Sequence, residues 1–175
     1  QLAIQKHHDY PSLPFYQQQI NEIVGLHDPA WRLSLSELTQ PLFKSAIQIK
    51  SIKDVGCGEG EWFNSRVLNE GKYDLFAYDL PEAIALAKSK SKIDIKFHPI
   101  NLEFIEINIF AYTDVTIFTE VAEHLTEECA KKIINFICDT SKIVIFSGAI
   151  PGQGGYNHIN EQPLKYWIQL FEVNN

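Results

Sequence analysis

The sequence predicts an α/β fold: a doubly wound, mainly parallel β-sheet with helices on both faces and N-terminal helices before it. Two observations support this prediction. From residue 49 onward, short apolar runs alternate with stretches of helical periodicity. The first apolar run also ends in a cluster of glycines, and the second ends in an aspartate. Ligands of such sheets bind at the carboxyl ends of the strands, so functional residues are expected at that edge.

Five apolar runs predict the strands of the sheet. They lie at residues 52–55, 73–78, 93–97, 115–118 and 143–146. Helical patterns between them predict helices at 61–70, 81–90 and 126–140, and a last helix that begins near Pro163. Pro81 suits a first helical turn, and the Thr126 hydroxyl can cap its helix. Trp167 is expected in the core.

The chain has 175 residues, which is enough for one domain and not comfortably for two. Residues 49–175 are predicted to form the core of that domain. Residues 1–48 are predicted to form an N-terminal arm followed by helices, because apolar residues recur at helical spacing within 15–24 and 35–47. Pro41 conflicts with the second of these helices and must kink it or mark its true start.

Composition and charge narrow the class of partner. The net charge of −7 argues against nucleic acid, which is bound mainly by clustered Lys and Arg. No apolar stretch is long enough to span a bilayer, so no membrane partner is predicted. The three cysteines fit neither a zinc pattern nor a disulfide framework, which favours a reducing, cytoplasmic compartment. A small molecule is the expected partner.

A glycine-rich loop follows the first predicted strand of the core. Segment 54–60 reads D-V-G-C-G-E-G, and Asp79 closes the second strand. A carboxylate there can accept hydrogen bonds from both hydroxyls of a ribose. Dinucleotide sites have the spacing G-x-G-x-x-G, but here Glu61 occupies the place of the third glycine and would repel a pyrophosphate. The alternative is a tight turn without a ligand.

This segment resembles the first motif of class I S-adenosylmethionine (SAM) dependent methyltransferases, which have a Rossmann-like fold. The resemblance implies that the loop carries the amino acid part of SAM, that Asp79 holds the ribose and that Leu80 flanks the adenine. Asn101 and Leu102 stand where this family often has an acidic residue that contacts the adenine amino group. The implied loop residues are Asp54, Gly56, Cys57, Gly58 and Gly60.

The fourth predicted strand runs into T-E-V-A-E-H-L, which resembles a segment common in the same superfamily. One interpretation is that Glu120 and Val121 shape the SAM pocket, while His124 leads into the helix that Thr126 caps. Glu120 and His124 are also candidate catalytic residues. The other is a divalent metal site formed by Glu120, Glu123, His124 and His158. On a helical turn the first three would share one face at i, i+3 and i+4. Mixed carboxylate and imidazole ligands suit Mg, Mn or Zn.

The segment after the fifth predicted strand reads P-G-Q-G-G-x-x-H-x-N-E-Q, and resembles one subgroup of stand-alone bacterial methyltransferases. It leaves the carboxyl end of a central strand, so it is expected to lie over the site. His158 is the candidate general base, because imidazole titrates near neutral pH. The alternative is a histidine that holds the loop backbone. Asn160 and Glu161 either bind substrate or cap the last helix.

The resemblance implies SAM-dependent methyl transfer, and O-methylation of a small metabolite or sugar is the predicted reaction. A non-catalytic module that binds SAM or a partner protein is the first alternative. A NAD-dependent dehydrogenase is the second, and the missing third glycine counts against it. The family sheet usually has seven strands, but nothing after Phe171 supplies the last two. The chain is therefore expected to be a fragment, or to have its sheet completed by a partner such as a second copy.

Overall fold

The computed structural model describes residues 2–6, 48–65, 68 and 72–174. Within this part of the chain six strands form one sheet in the order β1-β6-β5-β2-β3-β4. The strands are β1 (Leu2–Lys6), β2 (Ser51–Val55), β3 (Asp74–Asp79), β4 (Lys96–Pro99), β5 (Thr113–Thr119) and β6 (Ser141–Ser147). The mainly parallel α/β sheet that the sequence predicts is confirmed.

Strands β2 to β6 are parallel, and the direction of strand addition reverses between β2 and β5. The chain proceeds outward from β2 to β3 and β4 on one side, and from β5 to β6 on the other. The carboxyl ends of β2 and β5 therefore border the crevice at which ligands of doubly wound sheets bind. The turns that follow these two strands form the candidate site.

In the part of the chain that the structure describes, three α-helices cover the sheet: α1 (Pro81–Lys90), α2 (Glu127–Asp139) and α3 (Leu164–Glu172). Pro81 occupies the first turn of α1, and the Thr126 hydroxyl accepts a hydrogen bond from the Cys129 amide at the start of α2, as predicted. The two faces of the sheet are covered by different elements. Helices α2 and α3 pack on one face, and α1 with a short 3-10 turn at Trp62–Asn64 packs on the other.

Two predicted elements of the core differ in the structure. The third predicted strand begins only at Lys96, because the residue that it pairs with is Phe76, in the middle of β3. The predicted helix at 61–70 starts as the 3-10 turn Trp62–Asn64 and is interrupted at Ser65, which is extended. The Trp62 indole donates a hydrogen bond to the Thr119 hydroxyl at 3.1 Å, and this contact ties the turn to the end of β5.

The first residues of the chain also differ from the prediction of an arm. Leu2–Lys6 forms β1, which pairs antiparallel with β6, with Leu2 opposite Ser147 and Lys6 opposite Ile143. The predicted helices at 15–24 and 35–47 lie outside the described residues. No strand follows β6 in the described chain, and no helix there is long and apolar enough to cross a membrane.

Candidate functional site

The glycine loop turns sharply away from the end of β2. The amides of Gly56 and Cys57 donate to the Tyr78 carbonyl at 2.8 and 3.2 Å, so the loop is tied to β3. Gly56 has φ +79°, and a Cβ at this position would lie 2.3 Å from Cγ2 of Val121. Only glycine meets both conditions, because the left-handed region and the close approach both exclude a side chain. The loop thus lies directly against the turn that follows β5.

Asp79 joins the loop to the end of β3. Its Oδ2 accepts a hydrogen bond from the Gly58 amide at 2.7 Å, and its Oδ1 accepts one from the Leu80 amide at 2.6 Å. Each carboxylate oxygen retains a second lone pair that can accept from a ligand hydroxyl. Leu80 beside it is 44% exposed. The structure therefore brings these two predicted cofactor residues together with the glycine loop.

Other predicted cofactor residues have different surroundings. Asp54 and Cys57 are buried below the loop, so they support it rather than forming its surface. Leu102 is also buried in the core, and the structure does not place its side chain where a ligand could reach it. Asn101 is exposed, but its Oδ1 accepts a hydrogen bond from the Glu103 amide at 3.0 Å. The Asn101 amide oxygen, which was predicted to contact the adenine, thus caps the 3-10 turn Leu102–Phe104.

Glu120, directly after β5, has φ +54°, which is a left-handed conformation at a residue that is not glycine. Its amide donates to the carbonyl and hydroxyl oxygens of Ser147 at 3.1 and 3.2 Å. The Ser147 hydroxyl donates in turn to Glu120 Oε1 at 2.7 Å. Sequence reasoning missed Ser147; the available signal was a polar residue at the carboxyl end of a buried strand. Strained residues held in this way cluster at functional sites.

Three of the four predicted metal ligands come together. Glu123, His124 and His158 offer ligand atoms that all lie within 4.8 Å of one another. The fourth, Glu120, is not part of this group, and its role as a ligand stays a prediction. The turn is not a continuous helix, since the 3-10 turn begins only at Ala122. The left-handed Glu120 directs Oε1 to the Ser147 hydroxyl, while its charge still acts on Glu123.

Glu123 is the buried member of this cluster. It is 0% exposed, and neither carboxyl oxygen has a hydrogen-bond partner among the described residues. Burial, and then the negative charge of Glu120, raises the pKa of Glu123 to about 8. A buried carboxyl group without partners is costly to ionise. A cation bound next to it would remove that cost, so the donor set fits a divalent cation.

The two histidines are held by hydrogen bonds on their Nδ1 side. His124 Nδ1 lies 3.2 Å from the Asn157 carbonyl, and His158 Nδ1 lies 3.2 Å from Glu161 Oε1. Donation from Nδ1–H leaves Nε2 of each ring with its lone pair, and this is how metal-binding histidines are usually oriented. The ring centroids are 4.9 Å apart with the planes at 82°. His158 Nε2 is therefore a group that can bind a cation or accept a proton.

The loop between β6 and α3 is fixed to this turn by its own polar groups. The amides of Ile159 and Asn160 donate to the Glu123 carbonyl at 2.9 and 3.0 Å. The Asn160 side chain, which is buried, donates to the Ala122 carbonyl at 3.2 Å. Glu161 accepts hydrogen bonds from the amides of Gly152 and Gly154, each at 2.8 Å. Asn160 and Glu161 thus support the loop, and neither caps α3.

Comparison with known proteins bears on the fold. No protein-family model and no curated protein sequence matches the chain. Solved structures do match. The chain has the fold of class I methyltransferase structures. It aligns with an O-methyltransferase family protein from Burkholderia thailandensis at a TM-score of 0.62 and 13% identity. It aligns with the plantazolicin methyltransferase BpumL, in complex with SAH, at a TM-score of 0.64 and 17% identity.

These matches cover 83% and 93% of this chain, but the chain spans only 53% and 70% of those two structures. A third structure, described as a pericyclic reaction enzyme, matches with a TM-score of 0.58 at 12% identity. The match covers 77% of this chain and 40% of that structure. A single fold carries different reactions, so the function rests on the site residues.

Proposed function

We propose that this chain binds SAM and transfers its methyl group to a hydroxyl oxygen of a small-molecule acceptor. One observation carries the proposal: the glycine loop with Asp79 and the cluster of Glu123, His124 and His158 lie at the same edge of the sheet. The contact between Gly56 and Val121 joins the two groups across the crevice. A cofactor site and a polar cluster in contact are the arrangement that a group-transfer reaction needs.

The features of the loop favour SAM over a dinucleotide. The second lone pairs of the Asp79 oxygens suit the two hydroxyls of a ribose, and exposed Leu80 suits the apolar face of an adenine. Glu61 stands where a dinucleotide site has its third glycine, beside the place of the pyrophosphate. A negative side chain disfavours that group but tolerates a sulfonium and an ammonium. These features count against a NAD-dependent dehydrogenase.

Methyl transfer from SAM is a direct displacement. The acceptor oxygen attacks the methyl carbon in line with the sulfur, the new O–C bond forms as the S–C bond breaks, and S-adenosylhomocysteine leaves. The sulfonium already activates the methyl group, so the protein mainly supplies position. The hydroxyl proton must also be taken up. His158 Nε2 is the proposed base, because Glu161 holds the opposite nitrogen and stabilises the imidazolium that forms.

A divalent cation is the second proposal for the same cluster. Glu123, His124 and His158 would hold it, and unpartnered, buried Glu123 is the observation that favours it. When bound, such a cation lowers the pKa of a coordinated hydroxyl. His158 Nε2 cannot bind a cation and accept a proton at the same moment, so the two roles of His158 are alternatives. In this proposal Glu120 neither binds the cation nor takes up the proton. It shapes the turn through its hydrogen bond with Ser147.

The test measures release of S-adenosylhomocysteine from SAM with simple hydroxyl acceptors, in the presence of Mg²⁺ or of a chelator. Loss of activity in Glu123→Gln and on chelation supports the cation. Loss in His158→Ala alone, with no effect of the chelator, supports His158 as the base. If SAM binds but none of the acceptors causes release, the non-catalytic module is favoured.

We propose that the partner of this protein is a small molecule, and not nucleic acid or a membrane. A second copy of the chain is a further candidate partner. None of Cys57, Cys129 and Cys138 forms a disulfide bond. Cysteines outside disulfides support, as a proposal, the reducing cytoplasmic compartment.

A further inference from the structure

The first turn of α2 receives a capping group from a distant part of the chain. Thr126 is the N-cap residue, and its hydroxyl accepts a hydrogen bond from the Cys129 amide at 3.4 Å. In a capping box, a glutamate at the position of Cys129 would accept a hydrogen bond from the N-cap amide. A cysteine does not supply that carboxylate. Glu103, 23 residues before Thr126 in the sequence, supplies it instead.

Both carboxylate oxygens of Glu103 take part in this contact. Oε1 accepts a hydrogen bond from the Thr126 amide at 2.7 Å, and Oε2 accepts one from the Thr126 hydroxyl at 3.1 Å. Negative charge is favourable at the start of a helix, and hydrogen bonds to a charged acceptor are stronger than neutral ones. The Cys129 thiol also donates to the Leu102 carbonyl at 3.2 Å. The 3-10 turn Leu102–Phe104 is therefore bound to α2 at more than one point.

One end of this connection lies at the candidate cofactor site. The Ile100 amide donates to the Asp79 carbonyl at 2.7 Å, so the chain leaves β4 attached to the residue that is proposed to hold the ribose. Asn101 follows, and its Oδ1 accepts a hydrogen bond from the Glu103 amide at 3.0 Å. Glu103 is thus connected to Asp79 through two hydrogen bonds and the short segment between them.

The other end of the connection lies at the turn that carries two members of the polar cluster. The 3-10 turn Ala122–His124 is followed by two residues that are not helical, Leu125 and Thr126, and only then by α2. The hydrogen bonds from Thr126 to Glu103 fix the end of this segment. The position of the turn therefore depends on where the carboxylate of Glu103 lies.

We infer that Glu103 is a positioning residue that links the cofactor site to the turn Ala122–His124. A cofactor held by Asp79 changes the position of this turn through Glu103, so that occupancy of the cofactor site sets the geometry of the polar cluster. This inference rests on the proposed function and deepens it. A capping glutamate within α2 could stabilise the helix, but it would not connect the helix to the cofactor site.

The experiment follows the backbone amide resonances of the isotope-labelled full chain by NMR while S-adenosylhomocysteine is added. The amides of Gly58 and Leu80 report binding at the cofactor site, because both donate to Asp79. The Leu125 amide reports the turn. In the wild-type protein all three resonances are expected to shift over the same range of ligand concentration.

Two substitutions of Glu103 test the link itself. In Glu103→Ala the resonances of Gly58 and Leu80 should still shift, whereas the Leu125 resonance should lose its shift. Glu103→Gln keeps one oxygen that can accept from the Thr126 amide, so it should restore the shift of Leu125. A purely structural role of the carboxylate would not separate the cofactor site from the turn in this way.

Two control variants separate the link from a general loss of helix stability. Thr126→Ala removes the hydroxyl that caps α2, which destabilises the helix, but keeps the amide that donates to Glu103. Glu106→Ala changes an exposed carboxylate that follows Glu103 in the same connection. Both variants are expected to keep the shift of the Leu125 resonance.

The outcomes distinguish the inference from the proposed function. A Leu125 resonance that does not respond in the wild-type protein, or that shifts undiminished in Glu103→Ala, would overturn the inference. Loss of the Leu125 shift in Thr126→Ala would assign the effect to helix stability and would also overturn it. Absence of any shift at Gly58 and Leu80 in the wild-type protein would overturn the proposed function, on which the inference rests.

Discussion

Gly56 and Val121 set how closely the glycine loop approaches the end of β5. In Gly56→Ala, the new Cβ would lie 2.3 Å from Val121 Cγ2 in a backbone with φ +79°. We expect the substitution to lower the free energy of unfolding by about 1–3 kcal/mol, since it combines overpacking with backbone strain. Urea denaturation measures this. The variant should also bind SAM more weakly, because the loop must move.

Gly154→Ala is the matched control for that substitution. Gly154 also has a positive φ, +68°, but nothing lies within 4 Å of the position of its Cβ. It should therefore show the cost of the backbone conformation alone, about 1 kcal/mol. In the double variant Gly56→Ala/Val121→Ala, part of the lost stability should return. Equal losses in Gly56→Ala and Gly154→Ala would show that the approach to Val121 has no energetic consequence.

Sequence reasoning at the scale of single residues succeeded where a residue type is dictated by backbone geometry. Glycines at 56, 58 and 60 and Asp79 follow strands, and spacing alone predicts that they meet. The departures came from side chains whose surroundings depend on distant parts of the chain. Leu102 is buried in the core, and the left-handed backbone at Glu120 brings its carboxylate to the Ser147 hydroxyl. Neither result could be predicted from the neighbouring residues in the sequence.

At the scale of elements, the loop between β6 and α3 is organised by one carboxylate. Glu161 accepts hydrogen bonds from the amides of Gly152 and Gly154 and from His158, and these bonds, that of Gly152 above all, keep its pKa below the usual range. Glu161→Gln keeps one acceptor oxygen and loses the charge. We expect the Gly152 and Gly154 amides to exchange hydrogen about tenfold faster or more.

The same variant should weaken Mn²⁺ binding by about 10- to 100-fold if His158 is a ligand, because groups that orient a ligand have effects of this size. Glu172→Gln, at the exposed end of α3, is the control and should leave both the exchange and the Mn²⁺ affinity unchanged. Unchanged exchange at Gly152 and Gly154 in Glu161→Gln would contradict the role given to this carboxylate.

The elements themselves were predicted best where capping and periodicity agree. Helix α1 has the predicted bounds, and α2 differs from its prediction by one residue at each end. The errors have a common cause, which is pairing or anchoring over long distances in the sequence. Strand β4 takes its register from β3, the turn Trp62–Asn64 is tied to Thr119, and β1 is held by β6. Contacts between residues so far apart in the sequence cannot be predicted from a local pattern.

At the scale of the whole molecule, a buried lysine joins three parts of the chain at the amino edge of the sheet. Lys53 in β2 is 0% exposed. Its Nζ donates to the Ala111 carbonyl at 2.9 Å, before β5, and to the carbonyl and hydroxyl of Thr140 at 2.8 and 2.7 Å, after α2. Burial lowers the pKa of Lys53 to about 7 from 10.5. Lys53 therefore couples the stability of the fold to pH.

The sign of this coupling follows from the direction of the shift. Between pH 7 and 10.5 the unfolded chain holds the Lys53 proton more tightly than the folded chain does, so stability rises with pH in this window. Below pH 7 both states are protonated and the contribution is flat. The contribution of Lys53 to the free energy of unfolding should rise by about 2 kcal/mol between about pH 7.5 and pH 9.5, and the difference between wild type and a Lys53 variant isolates it from Glu123, whose raised pKa acts in the opposite direction.

Urea denaturation across this range measures the rise in the wild-type protein and in Lys53→Met. The variant should be less stable overall, because it leaves the Ala111 and Thr140 acceptors without their donor. Its stability should lack the rise with pH. Lys88→Met, at an exposed position of α1, should retain it. A rise of the same size in Lys53→Met would assign the pH dependence to other groups.

Calorimetric titration with SAM tests the central claim most directly, with NADH as the comparison ligand. The account predicts saturable binding of one SAM per chain and no binding of NADH. In Asp79→Asn the affinity should fall about tenfold or more, since a hydrogen bond to a charged group is lost. In Asp74→Asn, where the exposed carboxylate pairs only with Lys96 among the described residues, it should not change. A folded protein that binds NADH and not SAM, or an Asp79→Asn variant with unchanged affinity, would contradict the account.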